Sequence, residues 1–278
     1  MHKKNLMTPD IRTLLAGSAL PALFLYLIAP RMHGKPDRTP FSGVHYAHRG
    51  LFDNSGSAPE NSLPAFVLAI EHGYGIELDV QLSKDGVPVV FHDASLKRMC
   101  GVDGNVWEYT LAELQQMKLA HSDAVIPTFA EVLALADGRV PLIVEYKLDV
   151  VQTTVCERSD ALLRSYRGPY CIESFHPRAL RWYRRHRPDV MRGQLSMAFY
   201  KDPAHKTSPS KLALAFLLTN IVTRPDFIAY HHRDASNLSR RLCRKLGALS
   251  VAWTIKSTEE YLRANDQFDL FIFDSCRL

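Results

Sequence analysis

Residues 75–93 read GIELDVQLSKDGVPVVFHD, and this stretch decides how the rest of the chain is understood. Glu77 and Asp79 sit two apart among Ile76, Leu78 and Val80. In a strand, that spacing sets both carboxylates on one face and the aliphatics on the other. Two carboxylates on one face repel unless a cation lies between them, so a metal ion or an Arg/Lys partner is implied. The run PVVFH then reads as a short buried strand ending in His92-Asp93. Barrel enzymes carry their chemistry at strand ends of this kind. The plain alternative is a half-buried edge strand with solvated acids and a core histidine.

From residue 43 onward, short apolar runs alternate with amphipathic stretches, the pattern of an α/β domain. Strands are predicted at 44–48, 75–80, 88–92, 141–147, 170–175, 193–197, 226–230, 249–255 and 270–273. Helices are predicted over 62–72, 111–117, 129–136, 151–165, 177–186, 239–246 and 258–264. Thr110 with Glu113, and Thr128 with Glu131, have capping-box spacing. Nine strands are one more than a (β/α)8 barrel needs, and the sequence does not say which is surplus. No internal repeat appears.

At 278 residues, 46% of them hydrophobic, the chain has enough apolar material for one large core. A net charge of +5 favours anionic partners such as phosphate groups or acidic lipid surfaces, and no nucleic acid is expected. The five cysteines form no CxxC pair, which argues against a disulfide framework or a zinc site and for free thiols. The N-terminus differs from the rest. Lys3, Lys4 and Arg12 precede LLAGSALPALFLYLIAP, a charge-free run over 14–30 with Pro21 inside it. Its length falls between a signal-peptide apolar region and a transmembrane helix. Without a small-x-small cleavage site after it, an uncleaved membrane anchor is the expectation. Basic residues on both sides leave its orientation open. Residues 1–30 are thus read as an anchor, transmembrane or signal-like, 31–42 as a linker and 43–278 as the folded domain.

Two further clusters join the central stretch. The first strand runs into His48-Arg49-Gly50, and Pro59-Glu60-Asn61-Ser62 opens the first helix of the domain. Imidazole exchanges protons near neutrality and guanidinium binds phosphoryl oxygens bidentately, so a His-Arg pair at a strand end suits phosphate chemistry. In LIVEYK, Glu145 and Lys147 share one face of a buried-looking strand. Beside Glu77 and Asp79, Glu145 makes a third carboxylate, which suits one hard divalent cation, Mg2+ or Ca2+. Lys147 would be a point charge for a phosphate oxygen.

His48-Arg49-Gly50, Pro59-Glu60-Asn61-Ser62, the run from Glu77 to His92-Asp93, Pro127-Thr128-Phe129, Glu145-x-Lys147, Ser174-Phe175 and Trp253-Thr254 together resemble the glycerophosphodiester phosphodiesterase family. The resemblance spans roughly residues 44 to 275. It implies a TIM (β/α)8 barrel, following the N-terminal apolar anchor, and metal-dependent hydrolysis of a glycerophosphodiester to an alcohol and glycerol phosphate. It implies His48 and His92 as the acid/base pair and Glu77, Asp79 and Glu145 as ligands of one divalent cation. Arg49 and Lys147 would hold the phosphate, Trp253 would wall the substrate pocket, and Glu60 and Asn61 would support the site. Which histidine is base, and whether water or the glycerol 2-hydroxyl attacks, stays open. A lysophospholipase D acting on membrane lipids and an inactive head-group-binding module are the alternatives.

The chain departs from the family pattern at Phe273-Asp274, where a small residue and Thr-Asp are usual, although Asp274 remains available. Residues 199–225 look like an insertion whose apolar part, Leu212 to Val222, is either a bilayer-dipping rim or the barrel's sixth helix. The arginines at 178, 181 and 185 are expected on a solvated helix face. His72, His121, His186 and His231 are expected to be structural, and His176 is a possible site residue.

Overall fold

A computed structural model describes residues 11–148, 152–201 and 208–278. Lys3, Lys4, the predicted helix start at Val151 and most of the polar run after Tyr200 lie outside the described residues. All nine predicted strands form: β1 (His45–His48), β2 (Gly75–Leu82), β3 (Pro88–Val90), β4 (Leu142–Tyr146), β5 (Tyr170–Ser174), β6 (Arg192–Ser196), β7 (Phe227–His231), β8 (Leu249–Ile255) and β9 (Leu270–Phe273). Eight of them pair in parallel, in the order β1-β2-β4-β5-β6-β7-β8-β9, and β9 returns to β1 to close a TIM-type barrel. The surplus strand is β3, which runs antiparallel to β2 with Val80 opposite Val90. Its connection decides this. Val87 N–H donates to Ser83 Oγ at 2.9 Å, and Gly86 turns the chain at φ 78°. A turn that tight joins antiparallel strands only, because a parallel pair needs a long crossover.

Strand alternation sorts side chains into separate cores. Ile76, Leu78, Val80, Leu142 and Val144 face outward to the helices, among them Leu63–Glu71 and Phe129–Ala136. Tyr46, Ile143, Cys171, Leu195, Phe227 and Ile272 plug the barrel interior. Val89, Phe91, Leu96, Val106 and Ile126 form a third cluster under the β3 excursion. The helices start where capping chemistry dictates: Thr110 Oγ1 and Thr128 Oγ1 accept from the N–H groups of Glu113 and Glu131. The five cysteines are free.

The N-terminal helix Ile11–Ile28 departs from the anchor expectation. Its last turn belongs to the barrel: Ile28 is fully buried, and its carbonyl accepts from Asn220 Nδ2 at 2.7 Å. Arg224 donates to the carbonyls of Tyr26 and Ala29. The helix therefore spends part of its apolar length on protein contacts. Among the described residues, no helix is long and apolar enough to cross a membrane. Residues 31–42 lie against the base of the barrel, with Lys35 and Arg38 donating to the Gly247 carbonyl and Arg31 beside buried Asp226.

Instead of one sixth helix, residues 209–223 form two short ones, Pro209–Ala215 and Asn220–Thr223. Leu217 between them adopts φ 58° and is fully buried, which ties the segment to the core. Leu212, Phe216 and Val222 are exposed, and Phe216 stacks on Tyr200 with ring centres 5.6 Å apart.

Candidate active site

Parallel register brings the acidic residues together. Asp79 on β2 lies opposite Glu145 on β4, Glu145 lies opposite Glu173 on β5, and His48 on β1 lies opposite Glu77. Glu77, Asp79 and Glu145 each offer an oxygen within 4.8 Å of the others. Lys147 Nζ lies 2.9 Å from Asp79 and 2.7 Å from Glu145. Asn61 Nδ2 donates to Asp79 at 2.8 Å. Burial and the charges of Asp79 and Glu145 raise the Glu77 pKa well above the carboxylate range. Burial also raises Glu145. For Asp79 burial acts the same way, but Lys147, His92 and Arg49 outweigh it and hold the carboxyl far below its usual value. Within this cluster burial thus favours the protonated form at Glu77 and Glu145, and the neighbouring cations favour the ionised form at Asp79.

Each predicted acid/base histidine has its own carboxylate. His48 Nδ1 lies 3.0 Å from Asp274 Oδ2, and His92 Nδ1 lies 2.6 Å from Asp93 Oδ1. Burial raises both aspartates, yet their hydrogen-bonded histidines pull them below the ordinary range. Ionised carboxylates accept only, so each Nδ1 carries a proton and Nε2 is the nitrogen left for proton transfer. Burial lowers the His48 pKa and favours its neutral form.

Arg49 adopts a left-handed φ of 58°, which turns its N–H to Glu77 at 3.1 Å and its carbonyl to Asn61 N–H at 2.9 Å. Gly50 follows at φ 84°, where a Cβ would meet the Ala65 backbone at 2.9 Å. Arg49 Nη1 pairs with Glu60 at 2.7 Å, and Glu60 also receives Arg98, which in turn donates to Asp93. One chain of ion pairs thus links Arg49 to His92. Burial opposes ionisation of Glu60, but Arg98 and Arg49 bring its pKa down to about 2.

These groups open into a cavity of about 480 Å³, lined by His48, Arg49, Glu77, His92, Glu145 and Lys147 and walled by Phe175 and Trp253. The Trp253 and Phe175 rings meet edge to face at 5.6 Å. His231, expected to be structural, lines the cavity, with its ring 5.1 Å from that of Trp253. His232, Arg233 and Lys256 join it at the rim. His176 instead caps the helix Pro177–His186, its Nδ1 accepting from Arg178 N–H at 3.2 Å.

Sequence reasoning missed Glu173 and Arg98, and did not place His231 at the cavity. Strand alternation from Glu173 to Phe175 was a usable signal, because it sets Glu173 on the interior face. Arg98 carries no comparable mark, since its partners come from loops 38 and 5 residues away.

The acidic cluster suits a divalent cation. Its donors are all carboxylate oxygens, which hard ions such as Mg2+ and Ca2+ prefer. Lys147 and Arg49, whose Nε lies 3.5 Å from Asp79, are the cations at the three buried carboxylates, and Arg49 is shared with Glu60, so a divalent cation would offset the charge that remains.

Comparison with known proteins identifies relatives of this chain. The profile of the glycerophosphoryl diester phosphodiesterase family matches residues 48–269. A glycerophosphodiester phosphodiesterase of Bacillus altitudinis is 32% identical over 182 residues, covering 60% of this chain and 72% of that protein. A lysophospholipase D of Rattus norvegicus is 29% identical over 164 residues, covering 54% of this chain and 50% of that protein. A solved phosphodiesterase of Oleispira antarctica, in complex with sn-glycerol-3-phosphate, superposes with a TM-score of 0.67 at 27% identity, covering 84% of this chain and 94% of that one. This charged cavity on a TIM-type barrel, together with these relatives, defines a phosphoric diester hydrolase. Within that class, the chain belongs to the glycerophosphoryl diester phosphodiesterase family.

Proposed function

We propose that this cavity hydrolyses glycerophosphodiesters to an alcohol and glycerol phosphate, with His48 and His92 as the acid/base pair. The observation that carries the reading is the two imidazoles, each with Nδ1 fixed by a carboxylate, beside one acidic cluster. A phosphodiester is an anion that resists attack. Arg49 and Lys147 face its non-bridging oxygens with positive charge. Glu77, Asp79 and Glu145 would hold a divalent cation, Mg2+ or Ca2+, which would supply further positive charge against the phosphate. His48, kept neutral by burial, accepts at Nε2 the proton of the attacking water, or of a glycerol 2-hydroxyl whose cyclic phosphate water then opens, and His92, acting from its protonated form, gives its Nε2 proton to the leaving alkoxide. Glu60 and Asn61 hold Arg49 and Asp79 in place, and Trp253 closes one wall.

Replacing His48 or His92 by Ala should lower turnover of glycerophosphocholine about 100-fold or more, the usual scale for acid/base catalysis. EDTA should abolish turnover and Mg2+ or Ca2+ restore it. A folded His variant with near wild-type turnover overturns the assignment.

Lysophospholipid turnover is a second reading. The rat relative named lysophospholipase D motivates it, as does the exposed Tyr200–Phe216 stack next to Phe199, whose ring reaches Phe175 at 6.1 Å. If Phe216→Ser lowers lysophosphatidylcholine turnover while glycerophosphocholine turnover stays intact, this reading gains. Equal effects on both count against it.

A further inference from the structure

The polar interior face of β2 does not end at Asp79. Gln81 is the next residue on that face, and Lys147 stands two beyond Glu145, just past β4. Asp79 lies opposite Glu145, and Lys147 N–H donates to the Val80 carbonyl at 3.1 Å, so Gln81 and Lys147 make the next rung towards the barrel mouth. This rung borders His92: Gln81 Nε2 donates to the carbonyls of Phe91 and Asp93, on either side of it, at 2.8 and 2.7 Å. A second cavity, of about 240 Å³, opens here. Gln81 and Lys147 line it, and Lys147 lines the catalytic cavity as well, so the two share a wall. Its aromatic residue is Trp107, on the short helix Val106–Glu108, which the Lys84 N–H ties to the β2–β3 turn through the Tyr109 carbonyl at 2.8 Å. Ser83, Lys84 and Thr154 add hydrogen-bonding groups to the lining. Among the described residues that line this cavity there is no carboxylate.

In the reaction proposed above, His92 gives its proton to the leaving alkoxide, so the leaving alcohol lies on the His92 side of the phosphate. We propose that the second cavity receives this alcohol and selects a neutral polyol head group, glycerol to inositol in size. Hydroxyls donate and accept, and the amide, hydroxyl and ammonium groups of the lining answer both, while the indole face covers the C–H side of the polyol. A quaternary ammonium makes no such hydrogen bonds. It would gain from the Trp107 face alone, with the Lys84 ammonium in the same lining and no carboxylate there to offset it. The inference rests on the phosphodiesterase reading and adds a head-group class to it. Trp107 and Lys84 are specificity residues in this scheme and take no part in the chemical step.

The kcat/KM values for glycerophosphoinositol and glycerophosphocholine, each with Mg2+, test it directly. The two diesters share the glycerol phosphate half and differ only in the alcohol. The wild-type protein should favour glycerophosphoinositol about 10-fold or more, the scale of one aromatic contact and one or two hydrogen bonds. Trp107→Ala should lower the glycerophosphoinositol value about tenfold and leave glycerophosphocholine within about threefold. Trp107→Phe, which keeps a flat face, should retain most of the preference. Lys84→Met, at an exposed position, should reduce the preference about threefold and serves if Trp107→Ala does not fold. Calorimetry of both diesters with the slow His48→Ala variant and Mg2+ reads the same preference as affinity, apart from turnover. Equal values for the two diesters, a preference for glycerophosphocholine, or a polyol preference that survives both Trp107→Ala and Lys84→Met overturns the inference. An equal loss on both diesters in Trp107→Ala overturns it too. Tighter binding of glycerophosphoinositol without wild-type turnover of either diester would keep the polyol subsite and count against the phosphodiesterase reading.

Discussion

His48 and Asp274 stand 226 residues apart in the chain and 3.0 Å apart in the barrel. Closure of β9 onto β1, with Ala47 opposite Phe273, brings them together. A residue just after the last strand thus fixes the tautomer of a residue at the end of the first. Asp274→Asn should lower kcat for glycerophosphocholine by about 100-fold while KM changes little, because an amide lets the ring turn or take the wrong tautomer. Steady-state kinetics check this, and an unchanged kcat would place the acid/base proton elsewhere.

Arg98 predicts a separation of activity from stability. Its side chain is 46% exposed and spans Glu60 and Asp93. Partly exposed ion pairs are worth about 1 kcal/mol or less, so Arg98→Met should leave the melting curve nearly unchanged. It should nevertheless lower kcat about tenfold, because Asp93 and Glu60 lose a shared anchor. A large melting shift with normal kcat would make Arg98 a stability residue only.

Cation affinity should rise with pH. Glu77 and Glu145 have raised pKa values, mainly from burial, and must be deprotonated to ligate. In the cation-free protein the sign is opposite for stability. A folded-state pKa above the unfolded value contributes stability below the unfolded pKa of about 4.5 and loses it as pH rises through the folded value. Added Mg2+ or Ca2+ should therefore raise the melting temperature more at pH 7.5 than at pH 5, with proton release measurable by calorimetry at the lower pH. A gain independent of pH would remove these carboxylates from the ligand set.

The N-terminal helix predicts an unequal pair of truncations. A chain beginning at Phe24 keeps Ile28, its carbonyl bond from Asn220, and Arg31 beside Asp226. A chain beginning at Lys35 loses all three and should be less stable by roughly 2–4 kcal/mol, from one buried Ile side chain and one or two hydrogen bonds. Equal melting temperatures for the two would mean that the helix end contributes nothing to the barrel. Turnover per folded molecule should match, because these contacts sit at the opposite end from the cavity.

Leu217 and Phe216 are neighbours with opposite expectations. Leu217→Ala should cost about 2–5 kcal/mol, as full burial dictates, and Phe216→Ser should cost little because that ring is 40% exposed. Thermal melts of the two variants decide whether this segment is core, rim or both.

The two carboxylates of GIELDV, the His-Arg-Gly strand end and the Glu-x-Lys pair were legible because strand periodicity alone sets their faces. The alternation of short apolar runs with capped helices likewise established the α/β class, since local propensity and turn chemistry act over a few residues, whereas the barrel was implied by the family resemblance. The N-terminal run was legible as helix but not in its role. Hydropathy records that residues are apolar, and only the packed structure shows that Ile28 enters a protein core.

What the sequence determined by itself is therefore the set of local rules: which residues form strands, which face of each carries charge, and where helices begin. Tertiary structure alone decided which of nine strands leaves the barrel, that Asp274 serves His48, that Arg98 bridges Glu60 to Asp93, and that Glu173 faces the cavity without a partner. The physical reason is distance along the chain. Alternation and capping are near-neighbour effects, whereas hydrogen-bond pairing across the barrel depends on register and closure, which no short window contains.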